Sequence, residues 1–230
     1  MQKKVKIKKN LELIIFDNKD LYLKELVTCF KKDLRQNGIK NFIFPGGKTP
    51  NLFLKKLSNE PINWKNIKIS LTDERLSTNN KDSYTQSNYK NLQKNLLCRL
   101  SDINQPEYLP LPIQNEKYSE NKYGKFIKNS CVYLGAGLDG HVASIFRGDY
   151  NISDKKNIFF TKKKHFKFNR VSWTFKGLLK SNKIVLLLGK QKKPLILKIL
   201  NNTKNSNLPY LKLIQKYAKE IKIMYCNRVI

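Results

Sequence analysis

The chain has 230 residues, 40% hydrophobic and 11% aromatic, and its 46 Lys+Arg against 17 Asp+Glu give a formal net charge of +29 at pH 7. That length suits one large α/β domain or two small ones, since single cores stop growing at about 250–300 residues, and the apolar content excludes a disordered or fibrous chain. The charge invites a nucleic-acid reading, which has to be weighed against how it is distributed.

Short apolar runs alternate with longer amphipathic ones, the pattern of βαβ units on a parallel sheet. Leu11 to Phe16 reads as a strand and Lys19 to Gln36 as a helix with Leu21, Leu23, Leu26, Val27, Phe30 and Leu34 on one broad face. Asn41 to Phe44 is a second strand; it runs into Pro45-Gly46-Gly47-Lys48-Thr49-Pro50 and a helix, Asn51 to Leu57, with Pro near the first turn. Ile67 to Leu71 is a third strand, ending in Thr72-Asp73-Glu74-Arg75. The polar segment Leu76 to Ser87 reads as a mobile loop before a helix from Asn88 to Leu97. Beyond Pro106, Pro110 and Pro112, a helix from Glu116 to Lys128 leads to the strand Cys131 to Leu134, which opens onto Gly135-Ala136-Gly137-Leu138-Asp139-Gly140-His141. Further strands are predicted at Ile158 to Thr161, Val171 to Thr174, Ile184 to Leu188 and Ile221 to Tyr225, with helices at Lys192 to Leu200 and Tyr210 to Lys219. With no repeat and no linker, residues 1–230 read as one doubly wound, Rossmann-like α/β domain: a mostly parallel sheet with helices on both faces.

Of the basic residues 40 are Lys and only 6 are Arg, spread along the whole chain, whereas base and phosphate contacts favour bidentate Arg. Lys, Asn and Ile, all with AT-rich codons, make 87 of the 230 residues. A biased genome accounts for that excess, so a solvated Lys-rich surface is expected and nucleic acid is not an expected partner. Cys29, Cys98, Cys131 and Cys226 form no C-x-x-C pair and lack His at zinc spacing, which argues against a disulfide framework or a structural metal. The basic segment Met1 to Asn10 is followed by too short an apolar run for a secretory signal, and no stretch approaches the ~20 apolar residues of a membrane span. The expected compartment is a reducing cytoplasm. No long exposed apolar helix face is announced, so a monomer is expected.

Ligands of doubly wound folds bind at the carboxyl ends of the strands, where three polar clusters fall. Gly46, Gly47, Lys48 and Thr49 stand between a strand and a helix, where unobstructed amides at a helix N-terminus suit a phosphate; the Gly pair alone equally fits an ordinary βα turn. The spacing is neither a P-loop nor a dinucleotide fingerprint. In the extended segment Asp73-Glu74-Arg75, Asp73 and Arg75 face one way and Glu74 the other, so a carboxylate and a guanidinium could sit together beside a ligand, or simply form a surface ion pair. His141 follows Asp139 in a Gly-rich turn, where it could act as general acid/base with Asp139 placed to orient it, or simply cap a following helix. His165, within Lys162-Lys163-Lys164-His165, reads as a solvated loop residue.

Together these segments resemble the 6-phosphogluconolactonases of the glucosamine-6-phosphate isomerase/deaminase superfamily, whose patterns are S-G-G-S-T-P, D-E-R followed by S-N, G-x-G-x-D-G-H-x-A-S-L-F, R-V-T and G-x-x-K. The chain has Pro45 to Pro50, Asp73-Glu74-Arg75 with Ser87-Asn88, Gly135 to Phe146, Arg170-Val171-Ser172 and Gly189-Lys190-Gln191-Lys192, in that order. The resemblance implies hydrolysis of 6-phospho-D-glucono-1,5-lactone, a sugar phosphate lactone, without metal or organic cofactor. It implies His141 as general base, Asp73 near the reacting end and Arg75 in substrate binding and charge stabilisation. The amides of Gly46, Gly47 and Thr49, with Arg170 and Lys192, would hold the phosphate. Pro45 and Lys48 stand where the family has Ser, Arg147 where Pro is common, and Ser172 where it has Thr; Lys48 adds charge beside the implied phosphate. The sister activity, glucosamine-6-phosphate deaminase, carries Asp-Glu-Tyr and a Glu five residues after the His; here those positions are Arg75 and Phe146. A third reading is a non-catalytic relative using its basic surface to bind nucleic acid.

Overall fold

The computed structural model describes residues 2–35, 39–76, 86–113, 119–149, 156–161, 167–201 and 207–228, with Lys48 by its backbone only. The main sheet has eight strands in the spatial order β1 (Gln2–Lys8), β2 (Leu11–Phe16), β11 (Glu220–Cys226), β10 (Lys183–Leu188), β7 (Ser130–Leu134), β3 (Asn41–Phe44), β4 (Lys68–Leu71) and β6 (Glu107–Tyr108). Every neighbouring pair is parallel except β1 with β2. A second, antiparallel sheet is made of β5 (Asp73–Leu76), β9 (Asn169–Trp173) and β8 (Ile158–Thr161).

All residues of β7 and β10 are buried, as expected of parallel strands covered on both faces. On one face Phe42, Phe44 and Tyr133 meet Phe30 of α1 (Lys19–Arg35) and Phe53 of α2 (Lys48–Ser58), with the Phe30 and Phe42 rings 4.3 Å apart. Elsewhere in the core Tyr123 and Phe126 of α4 (Glu120–Lys128) pack on Trp173, whose indole N–H donates to Leu71 O at 2.9 Å and ties the small sheet to the large one. Asn18 Oδ1 caps α1 by accepting from the N–H groups of Asp20 and Leu21.

The alternating pattern therefore reads correctly as a doubly wound sheet, with three corrections. Leu21, expected on the buried face of α1, is 41% exposed, and Tyr22 is fully buried, because at 100° per residue position 21 falls nearly opposite the stripe through 22, 26 and 30. The basic start of the chain is edge strand β1. Its exposed Lys4, Lys6 and Lys8 alternate with half-buried Val5 and Ile7, and charge along an exposed edge discourages pairing with another chain. Thr72-Asp73-Glu74-Arg75 is not a strand-end loop: Asp73 begins β5. The expected helix start at Glu116, His165 and most of the loop Leu76 to Ser87 lie outside the described residues. Among those described, no helix is long and apolar enough to cross a membrane.

At the amino ends of the central strands Lys183 is buried and its Nζ lies 2.5 Å from Asp33 Oδ1 of α1 and 3.1 Å from half-exposed Glu220. Burial works against the ammonium, but neighbouring Cys29 and Asp33 outweigh it and hold the Lys183 pKa above its usual value. Asp33 Oδ2 also accepts from the thiols of Cys29 and Cys131, and burial with the Asp33 charge pushes the Cys29 pKa up to about 11. Asp33→Ala should leave an ammonium buried with Glu220 alone and lower stability by about 3 kcal/mol, read from a shifted urea midpoint at constant slope; an unchanged midpoint would show the pair to be dispensable.

Candidate functional site

The carboxyl ends of β3, β4 and β7 converge on a cleft of about 290 Å³. After β3 the chain turns through Gly47, whose φ of 98° is the left-handed conformation that favours glycine. Gly47 N-caps α2 without any side-chain cap, so the first-turn amides have no partner within the helix, and Gly46, Gly47 and Thr49 line the cleft beside them. A Cβ on Gly46 would lie 1.9 Å from Asn88 Oδ1, so a larger residue there would displace the Asn88 amide that donates to Asp73 O.

Along β5 the side chains alternate as an extended segment requires. Asp73 is buried against the cleft: its Oδ1 accepts from Thr72 Oγ1 at 2.8 Å, its Oδ2 from Ser144 Oγ at 2.7 Å, and Arg170 Nη1 lies 3.9 Å from Oδ2. Glu74 faces away and accepts from Ser87 Oγ and from the N–H groups of Asn88 and Tyr89 at 2.8 Å, fastening the start of α3 (Asn88–Asn95) to the back of the strand. Arg75 turns to the cleft and donates to Gln86 O at 2.7 Å.

The β7 loop folds tightly, with Gly137 N–H donating to His141 O at 2.9 Å and Gly140 N–H to Gly137 O at 3.0 Å. His141 Nδ1 stands 2.6 Å from Asp139 Oδ1. A Cβ on Gly137 would come within 2.2 Å of that nitrogen. Burial alone would raise the Asp139 pKa, but the charge and hydrogen bonds of His141 prevail and lower it. An ionised carboxylate only accepts, so the proton sits on Nδ1 and Nε2 is left as the basic nitrogen.

Arg170 of β9 stands opposite Arg75 in the ladder, and both line the cleft. Like charges facing each other across strands repel. Burial first, and Arg75 in addition, lower the Arg170 pKa against the pull of Asp73, which is the electrostatics of a place that favours an anion. Lys192, in the turn Lys190–Lys192 that precedes α6 (Lys193–Leu200), completes the wall; burial lowers its pKa and Asp139 opposes that.

Gly46, Gly47, Thr49, Asp73, Arg75, His141, Arg170 and Lys192 thus line one cleft, Asp139 holds His141 from its exposed rim, and the backbone of Lys48 opens α2. Sequence reasoning met Thr72, Ser144 and Ser172 only as members of longer motifs and gave none of them a role. Ser144 sits inside the apolar run Val142 to Phe146 and Ser172 inside a strand, so nothing local says what they bind; Ser172 Oγ accepts from Ser144 N at 3.2 Å and fixes that turn. Among the described residues no group of three His, Cys, Asp or Glu could hold a metal ion, and all four cysteines are free.

A family model described as "Glucosamine-6-phosphate isomerases/6-phosphogluconolactonase" matches residues 20–222. The chain is 31% identical over 179 residues to a Haemophilus influenzae protein named 6-phosphogluconolactonase, covering 72% of this chain and 75% of that one. It is 31% identical over 193 residues to a 6-phosphogluconolactonase of Thermotoga maritima, covering 80% and 85%. A crystal structure of 6-phosphogluconolactonase from Thermotoga maritima matches with a TM-score of 0.73 at 25% identity, covering 93% of this chain and 98% of that one. A Shewanella baltica 6-phosphogluconolactonase structure shares the fold with a TM-score of 0.75 at 20% identity, covering 96% and 99%.

Ser144→Ala removes a buried donor to the Asp73 carboxylate and should lower stability by about 1.5–3 kcal/mol, measured by urea denaturation. A loss well below that range would mean that Thr72 and Arg170 suffice to satisfy Asp73.

Proposed function

This chain belongs to the glucosamine-6-phosphate isomerase/6-phosphogluconolactonase family, and we propose that it hydrolyses 6-phospho-D-glucono-1,5-lactone to 6-phospho-D-gluconate in the oxidative pentose phosphate pathway, residues 1–230 acting as one domain. The observation that carries this reading is the His141–Asp139 contact of 2.6 Å in the same cleft as an uncapped helix N-terminus, two arginines and a lysine.

Water attacks the lactone carbonyl while His141 Nε2 takes its proton, and Asp139 stabilises the imidazolium that forms. The carbonyl electrons move onto oxygen, where Arg75 supports the developing charge. When the ring C–O bond breaks, the imidazolium returns its proton to the leaving ring oxygen, and the new carboxylic acid ionises to the carboxylate. Arg170, aimed by Asp73, and Lys192 hold the phosphate together with the amides of Gly47 and Thr49. The route needs neither metal nor organic cofactor because a lactone is already an activated ester. The sister deaminase activity is not favoured: the position five residues after His141 holds Phe146 where that chemistry places a carboxylate.

His141→Ala should cut kcat/KM by about 10²–10⁴-fold with the fold intact, measured in a coupled assay against spontaneous hydrolysis. A native protein that adds nothing to the spontaneous rate would end the enzyme reading. With a net charge of +29, a broadly positive field should also steer the dianionic substrate, so kcat/KM is expected to fall as ionic strength rises; a flat profile would exclude steering.

A further inference from the structure

Phe146 takes no part in the steps above, yet its ring touches both the base and one of the guanidinium groups they depend on. The His141 ring lies 4.6 Å from it at a tilt of 35°, and the Arg170 guanidinium carbon lies 5.8 Å from its centroid. The chain is bent to bring it there. Val142 and Ile145 bridge to each other around Ala143, whose φ is 50°, and Phe146 N–H donates to Asp149 Oδ2 at 3.0 Å while Asp149 N–H donates to Phe146 O at 2.9 Å. A residue five positions after His141 is thus folded back over it.

We propose that Phe146 is a positioning residue whose ring seats the His141 imidazole and is shared with the Arg170 guanidinium, so that a base that must become cationic works near a fixed cation. The proposal rests on the reading of His141 as general base. Imidazolium and guanidinium are each attracted to an aromatic face; sharing the ring replaces part of their mutual repulsion with attraction to a common partner. An aliphatic side chain of similar bulk fills the space without that electrostatic effect. Among the described residues, Asp139 on its own loop touches the imidazole, Lys192 from the turn before α6 interacts with Asp139, Asp73 pairs with Arg170, and Arg75 of β5 opposes Arg170 across the ladder. None of them is altered by a change at position 146.

The test compares Phe146→Leu with Phe146→Tyr. The chain has 2 histidines, so the ring resonances of His141 can be followed by NMR after a single assignment variant, His165→Gln. In Phe146→Leu the His141 titration is expected to move down by about half a pH unit, with the acid limb of kcat/KM moving alike. In the same variant kcat should fall several-fold and KM for the lactone stay within about twofold, while Phe146→Tyr, which keeps the ring, titrates with the native protein. A Phe146→Leu titration that coincides with the native curve, or moves upward, would overturn the proposal. Undiminished hydrolysis by His141→Ala would overturn the reading of His141 as base and leave the NMR result on Phe146 standing.

Discussion

A carboxylate withdrawn from water is costly unless every lone pair finds a donor or a charge, and at 7% exposure Asp73 meets that demand with groups drawn from separate parts of the chain. Thr72 comes from the exit of the main sheet, Ser144 from the loop that carries His141, and Arg170 from the second sheet. Satisfying one ion thereby fixes three segments relative to one another. Ser172 extends the same network by accepting from Ser144 N, and the Trp173 indole closes it by donating to Leu71 O. The geometry of the cleft depends on this knot, because the base, the guanidinium and the strand that presents Arg75 are each tied to it.

The cleft concentrates cations that would not gather without a reason. Arg75 and Arg170 oppose each other across a ladder, Lys192 approaches from a third element, and the carboxylates present are already engaged, Asp73 by its donors and Asp139 by His141. The amides of α2 add partial positive charge, since Gly47 caps the helix without a side chain. An anion held there would relieve the repulsion instead of adding strain. Phe146, in contact with both the imidazole and the Arg170 guanidinium, belongs to the same balance of charge.

Away from the cleft, the amino ends of the strands are held by the buried Lys183–Asp33 pair, which joins α1 to β10 and gathers two thiols around it. The lysine-lined edge strand β1 closes one side of the sheet with charge, a structural use for part of the basic excess that has nothing to do with the ligand.

Much of the site was legible because its signals are local: Gly46-Gly47 before a helix, a carboxylate and an arginine two residues apart on an extended segment, and a histidine two residues after an aspartate in a Gly-rich turn. Alternation of apolar runs likewise announced the doubly wound sheet, since period and length are properties of short windows. What had no local signature was pairing across distance. The small antiparallel sheet depends on β5 meeting a strand about a hundred residues later. Ser144 and Ser172 acquire meaning only once Asp73 is buried beside them, and the Lys at the start of β10 is indistinguishable in sequence from 39 others. The sequence by itself determined which residue types could do the chemistry and the order of the elements that carry them. Only the tertiary structure decided which charges face one another, because burial, register and the neutralisation of an ion are set by partners the chain meets after folding.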